Sequence, residues 1–485
     1  MVVQRQNISS KSFGWRQRAA RAGARFGAVA VAVAVMALPR PALAETLAQT
    51  LSDAYEHSGL LDQNRALLRA ADENVAQAVA GLRPIINWSA DITRTFGRSR
   101  ISQRVIPNAD TNFNVGISLD LLLYDFGRTQ LQIQAAKETV LATRETLRSI
   151  EQLVLLRAAT AYMNVRRNGE LVAVRQNNLR LLREELRAAE DRFEVGEVTR
   201  TDVALAEAAL ASARAGLAGA QGDLTQAVEE FRAAVGRKPG NLQPPGPLPR
   251  LSGDIDGAKS IAERKHPDVI GARFEVASAE LTVAAAEAAM KPTLNFTSRI
   301  GTDDEFGESD NNRFGSFGLA VTGPIYQGGL LSSAVRQAMA QRDSLRGALH
   351  ETRHEVVQDV GNAYAILLAA QASRQAGLEQ VRAARVAFQG LREEAQLGAR
   401  TTLDVLDAEQ DLLDAQGTAI EAEADLYIAA YTVLETIGEL TAKDLRLRVQ
   451  LYDPEGYYNL VKDAPVATSP QGQKLDRVLK ALGRD

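Results

Sequence analysis

His350-Glu351-Thr352-Arg353-His354 is a literal H-E-x-x-H. In that pattern two histidines one helical turn apart ligate zinc and the glutamate between them acts as base. A protease also needs a third ligand and a cleft. No glycine-and-histidine continuation follows here. Glu379 stands 25 residues past His354 on what reads as the same straight helix, about 37 Å away, and cannot return to the pair. Glu184-Glu185 and Glu393-Glu394 are adjacent in sequence, so they diverge on a helix and read as solvated faces. Asp404 and Asp407 are three apart and share a helix face; that spacing alone describes a solvated surface. The chain has no cysteine, which excludes thiol catalysis, disulfides and cysteine-ligated metals. No P-loop or dinucleotide glycine pattern occurs. The expectation is a protein with no catalytic residues, no cofactor and no metal site.

The elements that would carry these residues are long and helical. Of 485 residues, 45% are hydrophobic and only 5% aromatic, a balance suited to long helices and coiled coils. Helices are expected near 46–83, 128–195, 199–236, 257–290, 330–397 and 401–438. Within 128–195, Leu147, Ile150, Val154, Ala158, Ala161 and Val165 recur at steps of three and four, a coiled-coil seam. At about 1.5 Å per residue this rod is roughly 100 Å long.

Residues 1–44 read as a secretory signal peptide. Arg16, Arg18, Arg21 and Arg25 form a basic region, Phe26 to Leu38 an apolar run too short to span a bilayer, and Ala42-Leu43-Ala44 an A-x-A cleavage site. Cleavage after Ala44 removes Arg5, Lys11, Arg16, Arg18, Arg21, Arg25 and Arg40, and no acids, so the formal charge of -4 becomes -11. An exported acidic chain is not expected to bind nucleic acid. No later stretch has 18 uninterrupted apolar residues, so a membrane-embedded form must be a barrel.

The chain repeats itself. Arg65–Trp88 aligns with Arg273–Phe296 at an offset of 208. Tyr124-Asp125-Phe126-Gly127 aligns with Tyr326-Gln327-Gly328-Gly329, and Gly196–Val203 with Gly398–Val405, both at an offset of 202. This divides the chain into a first repeat (45–237), a proline-rich linker (238–256), a second repeat (257–447) and a polar tail (448–485), flexible or laid against the helices. Each repeat holds two alternating strands, near 85–96 and 112–123 in the first and near 293–301 and 315–325 in the second. Ile86, Trp88, Ala90, Ile92 and Phe96 alternate with polar residues; so do Phe113, Val115, Ile117, Leu119 and Leu121, then Leu294, Phe296 and Ile300, then Phe317, Leu319 and Val321. A soluble sheet with one buried face has the same period, but no other sheet is available to cover these hairpins. The loops expected at Gly97–Thr111 and Thr302–Arg313 are long and polar. Four strands cannot close, and open edges do not survive in lipid, so two, three or four copies must pool their strands.

With its tandem repeat, its Tyr124-Asp125-Phe126-Gly127 return and its paired turns at 192–203 and 397–408, the chain resembles the TolC-type outer-membrane efflux proteins. The likeness runs from Thr46 to about Leu447. It implies a mainly α fold with a small transmembrane β-barrel: a homotrimer with a 12-stranded barrel in outer-membrane lipid and a 12-helix periplasmic tunnel. It also implies an outer-membrane channel of a tripartite export system in a Gram-negative bacterium, serving type I secretion or multidrug efflux. The partners would be a periplasmic membrane-fusion adaptor and an inner-membrane ABC transporter or proton-driven pump. By the same resemblance, Asp404 and Asp407 form a cation-selective aperture ring whose mutual repulsion raises some of its pKa values. Arg400, Thr201 and Asp202 form a closed-state lock. Val195, Gly196, Thr199, Leu397, Gly398 and Thr401 lie at the adaptor-docking tips. Ala395 stands where the family often has a further tyrosine lock, and Glu197 where it often has an apolar residue. The alternative is a soluble periplasmic coiled-coil adaptor or scaffold, which leaves the two hairpins unexplained.

Overall fold

The computed structural model of one chain describes residues 45–101, 103–251, 254–305 and 311–481; the expected signal peptide lies outside them. The first repeat consists of α1 (Leu47–His57), α2 (Gly59–Ala80), β1 (Ile85–Ile101), β2 (Arg104–Tyr124), α3 (Arg128–Glu194) and α4 (Arg200–Val235). The second consists of α5 (Ile255–Lys265), α6 (Pro267–Ala288), β3 (Thr293–Glu305), β4 (Asn311–Thr322), α7 (Leu330–Gln396) and α8 (Thr402–Thr436). Two short helices follow, α9 (Pro454–Val461) and α10 (Pro470–Ala481). The starts of α1, α2 and β1 recur 208 residues later, and those of α3 and α4 recur 202 later. The change in offset falls within the hairpin, which is shorter in the second repeat.

The helices expected at 46–83 and 257–290 are each broken in two. Ser58 takes extended backbone angles and its side chain accepts from the Leu61 amide at 3.3 Å, so it caps a new helix. His266 precedes Pro267, which disfavours helical angles before it, and its Nδ1 accepts from the Asp268 amide at 3.3 Å. The strands also exceed expectation. β1 and β2 stay paired out to Ile101 and Arg104, so the stretch taken for a long loop at 97–111 is mostly ladder. Asp303, Asp304 and Glu305 likewise belong to β3. Polarity marked these residues as loop, but a strand needs no apolar face where neither face is buried in protein.

All four strands form one antiparallel sheet in the order β1-β2-β3-β4. Among the described residues, β1 and β4 each keep one unpaired edge. Trp88, Ile117 and Ile300 lie in one cross-strand row, and Leu119, Ser298 and Phe317 in the next. This face is bare: Trp88 is 79% exposed, Phe96 81% and Phe317 85%. The other face carries Asn87, Ser118, Arg299 and Ser316, and Asn114 donates to Asp91 across it at 3.1 Å.

The rods α3 and α7 have 67 residues each, roughly 100 Å. Leu147, Val154, Ala158, Ala161 and Val165 of the expected seam are buried. The core lies midway along the rods, where Leu51, Tyr55, Leu61 and Leu68 of α1 and α2 pack with Leu155 and Tyr162 of α3, Phe231 of α4, and Val360 and Val433 of the second repeat. Arg237 knots the first helix to the linker. Its guanidinium donates to both carboxylate oxygens of buried Glu45, at 2.9 and 2.8 Å, and to Asp53. The tail is laid against this region: Tyr457 donates to Glu73 at 2.7 Å and Arg83 to the carbonyls of Asp463 and Ala464.

Among the described residues only α4 is long and apolar enough, by length and composition, to cross a membrane. The expectation from uninterrupted apolar runs passed over it because charges punctuate its alanines. It nevertheless pairs along α3 and starts in the polar turn described next.

Candidate functional site

The two helical hairpins end in turns of the same construction. At the first, the Glu197 amide bonds to the Arg192 carbonyl at 2.9 Å and the Gly196 amide to the Phe193 carbonyl at 3.0 Å. At the second, Ala399 bonds to Glu394 at 2.9 Å and Gly398 to Ala395 at 3.1 Å. This crossed pair of bonds is the Schellman ending, which needs a left-handed residue after the helix. Gly196 (φ 80°) and Gly398 (φ 75°) supply it. Thr199 and Thr401 then cap the following helices in full capping boxes with Asp202 and Asp404. The result is a stiff, polar turn with an apolar point on top, for Val195 is 71% and Leu397 86% exposed. A groove of about 910 Å³ separates the turns, lined among others by Arg192, Thr199, Asp202, Arg392, Arg400 and Thr401.

Asp404 and Asp407 do share one face of α8, but their roles differ. One Asp404 oxygen accepts from the Thr401 amide at 2.9 Å and its hydroxyl at 2.8 Å. Those bonds, the amide first, hold its carboxyl below the usual carboxylate range. The rise expected from a ring is thus opposed within each chain by the cap. Asp407 is exposed and outside the cap. The acidic face continues through Asp411 and Asp414, both exposed, over about 15 Å of helix. These two were missed in the sequence, although the 3-4-3 spacing from Asp404 was there to be read.

The residues of the expected lock are close but not joined within one chain. Arg400 pairs with Glu394 of its own turn at 2.8 Å, whereas Asp202 accepts from Thr199. Thr201 is exposed. Ala395 packs beside Phe388 and Val405, so the position is filled by apolar contact rather than a hydroxyl.

A polar cluster that begins in the groove wall was not foreseen. Asn178 of α3 donates to buried Glu409 of α8 at 2.8 Å, and Arg392 of α7 pairs with Glu185 of α3 at 3.1 Å. The other Glu409 oxygen is buried without a partner. Burial, partly offset by the Asn178 bond, pushes its carboxyl up to about 7. Nothing in the local sequence distinguishes Glu409 from its solvated neighbours, since its burial arises from a contact 231 residues away in the chain.

Comparison with known proteins bears on the whole of this arrangement. The family model described as "Outer membrane efflux protein" matches residues 50–237 and 259–439, one match per repeat. The outer membrane efflux protein BepC of Brucella suis is 37% identical over 426 residues, 87% of this chain and 91% of that protein. The outer membrane protein TolC of Escherichia coli is 26% identical over 450 residues, 88% and 87% of the respective chains. Among solved structures, the CmeC outer membrane channel of Campylobacter jejuni superposes with a TM-score of 0.73 at 15% identity, over 96% of this chain and 98% of that one.

Proposed function

From the premise that this chain belongs to the outer membrane efflux protein family, and is an outer-membrane efflux channel rather than a soluble scaffold, we propose that it works as a homotrimer forming one continuous export duct. Three four-stranded sheets close into a 12-stranded barrel, each β1 edge meeting a β4 edge of the next chain. The observation that carries this is the sheet itself: two unpaired edges, with Trp88, Phe96 and Phe317 bare on one face and polar residues on the other. Such a surface suits lipid outside and water inside. The paired rods extend the lumen through the periplasm. The chain is exported by cleavage after Ala44, and Glu45, whose carboxylate and carbonyl are both bound, then starts the folded part.

At the far end, Asp404 and Asp407 of three chains face one axis as a cation-selective constriction, with Asp411 and Asp414 lengthening it. Fixed carboxylates around a narrow lumen concentrate cations and repel anions. Arg400 holds the constriction closed by leaving Glu394 for Thr201 and Asp202; the exchange is cheap because the Glu394 pair is solvent-exposed. Val195, Gly196 and Thr199, with Leu397, Gly398 and Thr401, dock a periplasmic membrane-fusion adaptor. Through it an inner-membrane ABC transporter or proton-driven pump delivers small toxic compounds or secreted protein.

The test is the double variant Asp404→Asn, Asp407→Asn in planar bilayers. Asparagine keeps a capping oxygen at position 404, so the turn survives while the charge is lost. The expected result is weaker cation selectivity and relief of block by a trivalent cation. Unchanged block overturns the ring. A chain that stays monomeric without detergent, or conducts no ions, overturns the duct.

A further inference from the structure

The H-E-x-x-H segment does not serve the export path described above, yet its side chains are arranged for a ligand. His350 and His354 lie one turn apart on the exposed face of α7, and their Nε2 atoms converge to 3.3 Å. The rings meet edge-on, with centroids 4.4 Å apart at 71°. Two imidazoles on a solvated helix gain little by pointing nitrogen at nitrogen, because each nitrogen could bond to water instead. At 3.3 Å one Nε2–H can donate to the other Nε2, and the same spacing suits a shared metal. With bonds of about 2.0–2.1 Å and tetrahedral angles, two zinc-bound nitrogens stand about 3.3–3.4 Å apart. The nitrogen–nitrogen distance therefore matches one edge of a tetrahedron.

The surroundings allow an ion to enter. Both histidines are exposed in the single chain. Gly347, one turn before His350, has open space where a side chain would stand. Arg346, one turn before His350, is engaged by Glu280 at 2.6 Å and by Asp343, while Arg353 stands exposed between the two histidines in sequence. The rod is anchored on α5, α6 and α8, so the two nitrogens are presented by a rigid support.

We propose that His350 and His354 form a two-imidazole site for a divalent transition ion of the zinc, copper or nickel class, one per chain. Imidazole favours these ions over magnesium and calcium, which prefer oxygen. Among the described residues no group of three or more His, Asp or Glu is placed to hold a metal, so water fills the remaining positions. Glu351 adjoins the pair in sequence and is not a ligand. The site lies about 70 Å up the rod from the tip at Leu397, and its existence does not depend on the aperture reading.

The experiment uses tag-free full-length protein in detergent, stripped with a chelator and titrated with Zn²⁺, Cu²⁺, Ni²⁺ and Mg²⁺ by calorimetry. One transition ion per chain is expected, with no Mg²⁺ response. His350→Ala and His354→Ala should each weaken binding tenfold or more, while Glu351→Gln leaves it unchanged. Copper-loaded protein should show hyperfine coupling to two nitrogens, lost in either histidine variant. Binding of equal stoichiometry and affinity in the histidine variants overturns the site, as does a copper spectrum without two coupled nitrogens.

Discussion

Replacing Glu409 by glutamine should remove a pH dependence that the wild-type chain carries. Burial lifts this carboxyl from 4.5 to about 7 in the folded chain; the Asn178 bond and Arg392 oppose the rise and Glu185 adds to it. Below pH 4.5 the group is protonated both folded and unfolded and contributes no difference. As pH rises from 4.5 to 7 the unfolded chain releases the proton and the folded chain keeps it, so stability falls. Above pH 7 the deficit is constant. A gap of roughly 2.5 units at 1.36 kcal/mol each makes it about 3 kcal/mol per chain. In Glu409→Gln the amide oxygen still accepts from Asn178, and no proton is exchanged. The new NH₂ sits where the unpartnered oxygen was, which lowers stability by an amount independent of pH. The decisive quantity is therefore the slope. Asp72, pushed up to about 6, and Glu435, pushed up to about 7, both chiefly by burial, act with the same sign, but they remain in both proteins and cancel. Denaturant unfolding in detergent between pH 5 and 8 measures the difference directly. The wild type should lose about 2.5 kcal/mol more than the variant across that range, the rest of the deficit having accrued below pH 5. Parallel curves would refute the buried, proton-bearing state of Glu409.

Two further substitutions probe the barrel and the anchor. Phe317→Arg on the bare face should cost about 2–4 kcal/mol if that face meets the bilayer core, whereas Ser316→Arg on the opposite face should be tolerated; heat-modifiable migration of the assembled form reads both, and equal effects would argue against lipid outside. Arg237→Met leaves the Glu45 carboxylate buried without its fork and should destabilise by about 3–5 kcal/mol at pH 7. Burial opposes ionisation of Glu45, but bonds from Arg237, Gly240 and Thr50 hold its carboxyl below the usual value. The wild-type contribution is therefore present at neutral pH and fades as pH falls through the lowered carboxyl value, so wild type and variant should converge only in more acid solution than an ordinary carboxylate would require.

Much of this fold was legible because its signals are local. Glycines at 127, 196, 329 and 398 mark left-handed turns, and strict alternation marks the strands. The steps of three and four in α3 mark a seam that is buried. The breaks at Ser58 and His266 are equally local: a Ser-Gly and a His-Pro step interrupt helices whose apolar pattern continues across them and masks the punctuation. The strand ends were misjudged for a different reason. Beyond Phe96 arginines, serines and Pro107 break the alternation and Val105 and Ile106 fall on opposite faces, so periodicity vanishes while backbone pairing persists. The tip acids were visible as a spacing, but the division of labour between Asp404 and Asp407 depends on which carboxylate turns back to the cap. Glu409 and Asn178 were beyond reach, because each acquires its environment from the other repeat.

That contact between repeats has a counterpart that one chain cannot make. Asn178 of α3 meets Glu409 of α8, and the tandem offset of 202 places Gln380 of α7 and Glu207 of α4 in the equivalent positions. Both are exposed. The same holds for Ala204, Ala208, Ala211, Ala215 and Ala218, exposed at steps of four and three along α4, a seam with nothing packed on it in a single chain. This is why α4 is apolar enough to pass for a membrane span while only 17% of that stretch is buried. If the two repeats pack alike, the α3–α8 interface within a chain recurs as α7 against α4 of the next, and three chains make six nearly equivalent contacts that close a ring. A lipid-spanning α4 would leave Gln380 and Glu207 far apart. The chain has no cysteine, so Glu207→Cys, Gln380→Cys introduces the only thiols present. A short bis-maleimide should link the double variant into dimers and trimers, and neither single variant should ladder past a dimer. Failure to link in protein that migrates as an assembled oligomer would show that the repeats pack differently within and between chains, and the ring would need another geometry.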